Sequence, residues 1–254
     1  SAGGVTTLWI DTDNNTGAEI QIQLAGTFAA TDFTVSDNGD GTSRITRASF
    51  GSVQSGSAAA ESQSGTADGD SLSGQGGDDT QQGFGGNDTL DGGTGSDWLF
   101  GGLGNDTYYV DTQGDLVFEN VGEGDDTVHS SASFYLYGNI ENLTLTGTAA
   151  YGVGNELANR LSGNAQENLL IGWDGNDELH GGDARDALYG VNGDDVIHGD
   201  AGIDYIVAGL GNDVLYGGAD ADEIYGQEGD DLIYGGDDFA TDILVGGDGN
   251  DTID

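Results

Sequence analysis

Seven aspartates, Asp177, Asp186, Asp195, Asp204, Asp213, Asp222 and Asp231, follow one another at intervals of nine residues. Each comes shortly after a glycine turn and just before a short apolar stretch. A carboxylate beside exposed turn carbonyls is an all-oxygen donor set. Roughly six to eight such oxygens suit Ca²⁺ better than Mg²⁺ or Zn²⁺. The rest of the chain offers little competing chemistry. Cysteine is absent, which removes disulfides, thiolate metal sites and thiol nucleophiles. Neither HExxH nor GxSxG occurs. Gly69-Asp70-Ser71-Leu72 spells a hydrolase nucleophile motif, but it falls in register with the nine-residue rhythm, which already accounts for each of its residues. His180 and His198, eighteen residues apart, read as two solvated imidazoles in a stack rather than as a metal or pH-sensitive pair.

Composition frames that chemistry. Across 254 residues, 4 Lys+Arg stand against 46 Asp+Glu, a formal charge of −42. Such self-repulsion opposes a compact state unless counter-charge is supplied. It also makes nucleic acid and anionic membrane poor partners. Glycine reaches 49 residues while proline is zero and no Gly-X-Y period exists, which excludes collagen. No apolar run is long enough to span a bilayer, so membrane insertion is not expected. Two options remain: a disordered acidic coil, expected without a cation, or a fold assembled around cations.

The repeats decide for the second when Ca²⁺ is present. Sixteen units can be written, five from Gly65 and eleven from Gly154, the tenth of the second set being eleven residues long. Position 6 is Asp in fourteen of them, Asn159 and Asn168 being the exceptions. Position 8 is Leu, Ile or Tyr in fifteen, with Gln81 departing. Glycines at positions 1, 2 and 4 permit tight turns. Positions 7 to 9 alternate polar, apolar, polar, a three-residue strand with one side chain inward. Such a strand is stable only when stacked on neighbours. Two units would close an eighteen-residue coil, with Leu90, Leu99, Leu179, Leu188, Ile197, Ile206, Leu215, Ile224 and Ile233 forming a thin core. Stacking then sets Asp177, Asp195, Asp213, Asp231 and Asp251 in one column and Asp186, Asp204, Asp222 and Asp242 in the other. Coils about 4.8 Å apart hold these carboxylates close enough to repel unless a cation lies between them.

The units match G-G-x-G-x-D-x-U-x, with U large and apolar, and the chain resembles the RTX (repeats-in-toxin) family over residues 65–254. The resemblance implies an all-β fold, a right-handed parallel β-roll or β-helix solenoid of two nonapeptide blocks joined by a β-helical spacer. It also implies bacterial type I secretion, with folding outside the cell in millimolar Ca²⁺. Each ion would be held between turns by the position-6 Asp and by carbonyls of the first four positions. Carried over, the ligands are Asp70, Asp79, Asp88, Asp97 and Asp106, then Asp177, Asp186, Asp195, Asp204, Asp213, Asp222, Asp231, Asp242 and Asp251. GEGDD at 122–126 adds Asp126. Together they would take roughly eight to twelve Ca²⁺. Asn159 and Asn168 imply poor or empty sites, Ala184 and Asp220 replace a position-4 glycine, and the insertion at 237–241 should bulge one turn.

Five segments follow. Residues 1–36 form a β-strand segment resembling a β-roll cap, like that closing the roll of serralysin-like proteases. Its position at the start implies a fragment of a larger secreted protein. Asp11, Asp13 and Asn15 imitate the opening of an EF-hand loop, but Thr16 and Ile22 break the pattern, which leaves a strand-connecting turn. Residues 37–64 are a Ser/Gly/Ala-rich connector. Residues 65–109 are the first roll, 110–153 the spacer and 154–254 the second roll. The expected function is a non-enzymatic Ca²⁺-binding scaffold or spacer, secreted or on a cell surface. The alternative is a carbohydrate- or surface-binding module using position 9. There Tyr216 and Tyr234 share a face with His180 and His198, and Tyr189 and Tyr225 share the other. Packing between exposed strand residues is the plainer account of those rings.

Overall fold

The computed structural model describes residues 51–236 and 240–254, together with the backbone of four strands in the first fifty. The chain divides into two units, Ser1–Phe50 and Gly51–Asp254. In the first, Val5–Ile10 pairs antiparallel with Ile20–Ala25 and Phe33–Asp37 with Ser43–Arg47. The strand expected through Ile20, Ile22 and Leu24 is therefore present. The EF-hand-like residues Asp11, Asp13 and Asn15 lie outside the described residues.

The second unit is an all-strand parallel β-solenoid of about 11 turns, consistent with a right-handed β-roll. One wall is a twelve-stranded sheet in which every second strand of the coil pairs with its neighbour eighteen or so residues on, from Val53–Ser55 to Thr252–Ile253. The opposite wall is split. Ser62–Ser64, Thr80–Gly85, Trp98–Leu103 and Leu116–Phe118 make a four-stranded sheet. Seven strands, from Phe134–Tyr135 to Ile243–Asp248, make another. The spacer thus continues the winding on one wall and interrupts the ladder on the other.

Register follows the period of the sequence. Leu179 pairs with Ile197, Ile197 with Leu215 and Leu215 with Ile233, so position 8 stacks on position 8. All nine inward residues expected from the spacing are fully buried. Each contributes about 1.5–3 kcal/mol. Only two such side chains serve each regular eighteen-residue coil, a thin core for so many ordered residues. Gln81, the one polar residue at position 8, is also fully buried. Its Nε2 donates to Gln63 Oε1 (2.7 Å) and to the Asp91 carbonyl (3.0 Å), so an amide ladder replaces the apolar one there.

The coil begins earlier than the nonapeptide spacing. Val53–Ser55 pairs with Ser71–Ser73 and Ser62–Ser64 with Thr80–Gln82, so residues 51–64 form strands of the solenoid rather than a linker. Their turns are serine-rich, yet the backbone groups pair with the next coil. At the insertion, Asp237–Phe239 lie outside the described residues. On either side the ladder resumes with a spacing of 20, Ile224 opposite Leu244.

Turn geometry explains the glycines selectively. Position 4 is left-handed at Gly175, Gly193, Gly202, Gly211, Gly229 and Gly249. Leu157 and Gln166 at the start of the block do not adopt this conformation, whereas Ala184 (φ 74°) and Asp220 (φ 78°) adopt it without glycine. That costs roughly 1–2 kcal/mol each. Position 1 has ordinary φ and is needed for a different reason, given below.

Candidate metal centres

The position-6 aspartates sit where each turn meets the coil behind it. Most are nearly fully buried, Asp195, Asp204 and Asp213 being each 1% exposed, whereas Asp242 and Asp251 are half-buried. One carboxylate oxygen has a protein partner. Asp195 Oδ1 accepts the Asp177 N–H (2.8 Å), Asp213 Oδ1 that of Asp195 (2.8 Å) and Asp231 Oδ1 that of Asp213 (2.9 Å). The second column repeats this from Asp186 through Asp204 and Asp222 to Asp242. The first block does so from Asp70 through Asp88, Asp106 and Asp126, and from Asp79 to Asp97. Asp251 ends its column by accepting from Asp231 (3.1 Å).

The other oxygen is the informative one. Oδ2 of Asp79, Asp88, Asp97, Asp106, Asp126, Asp177, Asp186, Asp195, Asp204, Asp213 and Asp231 is buried with no hydrogen-bond partner. A buried carboxylate oxygen without a donor or counter-ion is strongly disfavoured. What it faces is shown by the position-1 glycines. A Cβ on Gly190 would strike Asp195 Oδ2 and approach the carbonyl of Ala208, one coil on. On Gly199 it would meet Asp204 Oδ2 and the Gly217 carbonyl. The missing side chain keeps open a cradle of carboxylate and carbonyl oxygens. Hard oxygens of this kind fit Ca²⁺.

Electrostatics agree. Burial first, then neighbouring carboxylates, pushes Asp195 and Asp213 up to about 7, and burial with its neighbours takes Asp204 to about 7. Burial also raises Asp88, Asp97, Asp177 and Asp186 to about 6. Asp70 differs. Burial pushes it up, but hydrogen bonds from Thr66 and Ser52 outweigh that and hold it below the usual range.

The two asparagines are built differently. Asn159 Nδ2 donates to the carbonyls of Ile140 (3.0 Å) and Glu141 (3.2 Å), and Asn168 Nδ2 to that of Ala149 (2.9 Å). Their amides bridge coils with hydrogen bonds where the aspartates present an unpartnered oxygen.

Sequence reasoning missed carboxylates in the columns and beside them. Asp115, 1% exposed, accepts the Asp97 N–H (3.0 Å). It lies eighteen residues after Asp97 and just before Leu116-Val117, a signal that was available. Glu141 accepts the Asp126 N–H (2.8 Å), and Glu119 is buried beside Asp106 and Asp126. Neither falls on the nine-residue rhythm.

Elsewhere, the rings at position 9 stack as one column. His180–His198, His198–Tyr216 and Tyr216–Tyr234 have centroids 4.6, 4.6 and 5.1 Å apart, with interplanar angles of 1°, 5° and 7°. On the other wall Val207 stands between Tyr189 and Tyr225, and Tyr205 packs against both. His180, His198 and Asp200 bring ligand atoms within 4.8 Å of one another. Two parallel imidazoles cannot both hold one ion in their ring planes. Ser71 lies in a strand and Asp70 in the aspartate column, and no histidine pairs with either among the described residues.

A parallel solenoid whose coils meet across buried carboxylates and turn carbonyls is a repeat protein built to take up hard cations. The family model for RTX calcium-binding nonapeptide repeats, four copies long, matches residues 82–117, 153–188, 189–224, 209–241 and 238–254, and the chain belongs to that family. No curated protein matches it.

Proposed function

We propose that this chain is a Ca²⁺-dependent structural module. It would leave the cell by type I secretion as an unfolded acidic coil, fold outside on meeting Ca²⁺, and then act as a rigid scaffold or spacer rather than as an enzyme. The observation that carries the reading is the series of eleven aspartates named above whose Oδ2 atoms are buried without a hydrogen-bond partner. In the metal-free coil those groups sit in water at no cost, so folding without cations means burying them unpaired. On this reading the ligands are the position-6 aspartates already named, with Asp126; Asp115 differs, since its Oδ2 accepts the N–H groups of Asp111 and Thr112 (3.2 Å each). Roughly eight to twelve ions are bound. About ten Ca²⁺ would offset about +20 of the −42. Binding free energy then serves as folding free energy. Sites of this sort in extracellular modules work at roughly 10⁻⁴–10⁻³ M, which matches the medium outside a cell and not the cytosol.

A glycan-binding role for the His180–His198–Tyr216–Tyr234 column is less well supported. Rings stacked on each other cover the faces a sugar would use.

Far-UV circular dichroism of EDTA-stripped protein during a Ca²⁺ titration, with Mg²⁺ as control, tests the proposal. A steep coil-to-β transition with Ca²⁺ alone is expected. A spectrum already rich in β structure without metal would overturn it.

A further inference from the structure

Glu119 belongs to no nonapeptide unit. It follows the strand Leu116–Phe118, the last of the four-stranded sheet, and stands where that wall of the solenoid is split. A solvent-facing glutamate would be ordinary in a spacer, yet this one is only 9% exposed. Its Oε1 accepts from the hydroxyl of fully buried Tyr108 and, at 3.4 Å, from the Gly102 N–H. Its Oε2 is buried with no partner.

Two further oxygens converge on the same place. Asp106 and Asp126, 1% and 0% exposed, spend Oδ1 on the N–H groups of Asp88 (2.7 Å) and Asp106 (2.8 Å). Their Oδ2 atoms have no partner. Ligand oxygens of the three carboxylates lie within 4.8 Å of one another. Among the described residues no arginine pairs with any of them. The space between is kept clear by Gly101, on which a Cβ would run into Tyr108 Oη, Asp106 Oδ2 and Glu119 Oε1. Three buried carboxylates this close need a cation more than any two-carboxylate turn does. Burial accordingly raises Glu119 to about 8 and Asp106 to about 7.

We propose that Glu119 is the third carboxylate of a cation site with Asp106 and Asp126, a site that ties the first roll to the spacer at the edge of the split wall and holds a trivalent lanthanide more tightly than the regular turns do. The proposal rests on the calcium-module reading and adds a ligand that the nonapeptide pattern does not supply. A charge of −3 against the −2 of an aspartate pair favours the trivalent ion. Tyr108, hydrogen-bonded to the same glutamate, is placed to pass excitation to a bound Tb³⁺.

Glu119→Gln tests it, because glutamine keeps the size and the acceptor for Tyr108 while removing the charge. Bound Ca²⁺ per chain would be counted by chelator competition, and Tb³⁺ followed by tyrosine-sensitised luminescence. The variant should still gain β structure with Ca²⁺, carry one ion fewer, and bind its tightest Tb³⁺ at least tenfold more weakly. An unchanged ion count with unchanged Tb³⁺ affinity would overturn the Glu119 site while leaving the module reading intact. Failure of the wild-type chain to fold with Ca²⁺ would instead overturn the module reading. Should Glu119→Gln not fold, Tyr108→Phe decides. It should keep the full ion count but lose most of the sensitised emission of the tightest Tb³⁺, and undiminished emission would sink the proposal.

Discussion

Replacing Asn159 by aspartate exchanges a hydrogen-bonded bridge for a cation-dependent one. The amide of Asn159 donates to Ile140 and Glu141 across the coil boundary, at 3.0 and 3.2 Å. Removing the donors loses two hydrogen bonds, each worth about 0.5–1.5 kcal/mol. It also turns a carboxylate oxygen toward two carbonyl oxygens, so the folded state should lose about 2–4 kcal/mol when Ca²⁺ is scarce. With Ca²⁺ abundant the same oxygens form a donor set like that of the regular turns. The loss should then shrink by 1 kcal/mol or more, about fivefold in the folding equilibrium. Urea denaturation at Ca²⁺ concentrations just above the folding midpoint and far above it measures both values, and ion counting should find one more Ca²⁺ per chain. A destabilisation of the same size at both concentrations, with no added ion, would show that the amide does not stand in a cation's place.

Two further outcomes follow from the columns. Asp213→Ala, with coils on both sides, should reduce the cooperativity of the Ca²⁺ titration more than Asp70→Ala near the start, and identical titrations of the two variants would put the register in doubt. Acid should act oppositely on the stripped and loaded chains. Asp195, Asp204 and Asp213 are held at about 7 in the fold against an ordinary 3.8. Groups raised in this way favour the folded state below about pH 4, and that contribution is lost as pH rises through about 7. The stripped chain should therefore gain β structure by circular dichroism as pH falls from 7 to 4. The loaded chain should release Ca²⁺ over the same range, because its ligands must be deprotonated. A stripped chain with the same coil spectrum at both pH values would contradict the sign of these shifts.

The coil, its register and the two aspartate columns were legible because each nonapeptide carries the whole local instruction: turn, ligand, inward side chain. Legibility failed where residue type and position separate. Residues 51–64 wind like the rest, but Glu61 stands at the turn and Gln63 points inward, so neither the carboxylate rhythm nor the apolar one announces the coil. In the spacer the step between partners becomes 20 from Asp106 to Asp126 and 15 from Asp126 to Glu141. A period cannot find ligands whose spacing is set by variable loops. Glu119 is legible only in three dimensions, since the split wall brings it against residues 7 and 13 positions away.

The unequal walls have a mechanical meaning. One sheet is hydrogen-bonded without a break through all twelve of its strands, while the other is interrupted between Phe118 and Phe134. Under tension along the stack, the unbroken wall behaves as an inextensible tape and the split wall as a joint. Flexing toward the continuous side opens the joint without breaking a ladder bond, whereas flexing the other way must compress it. This pairing predicts a directional stiffness, with bending concentrated at the coil where the wall is split.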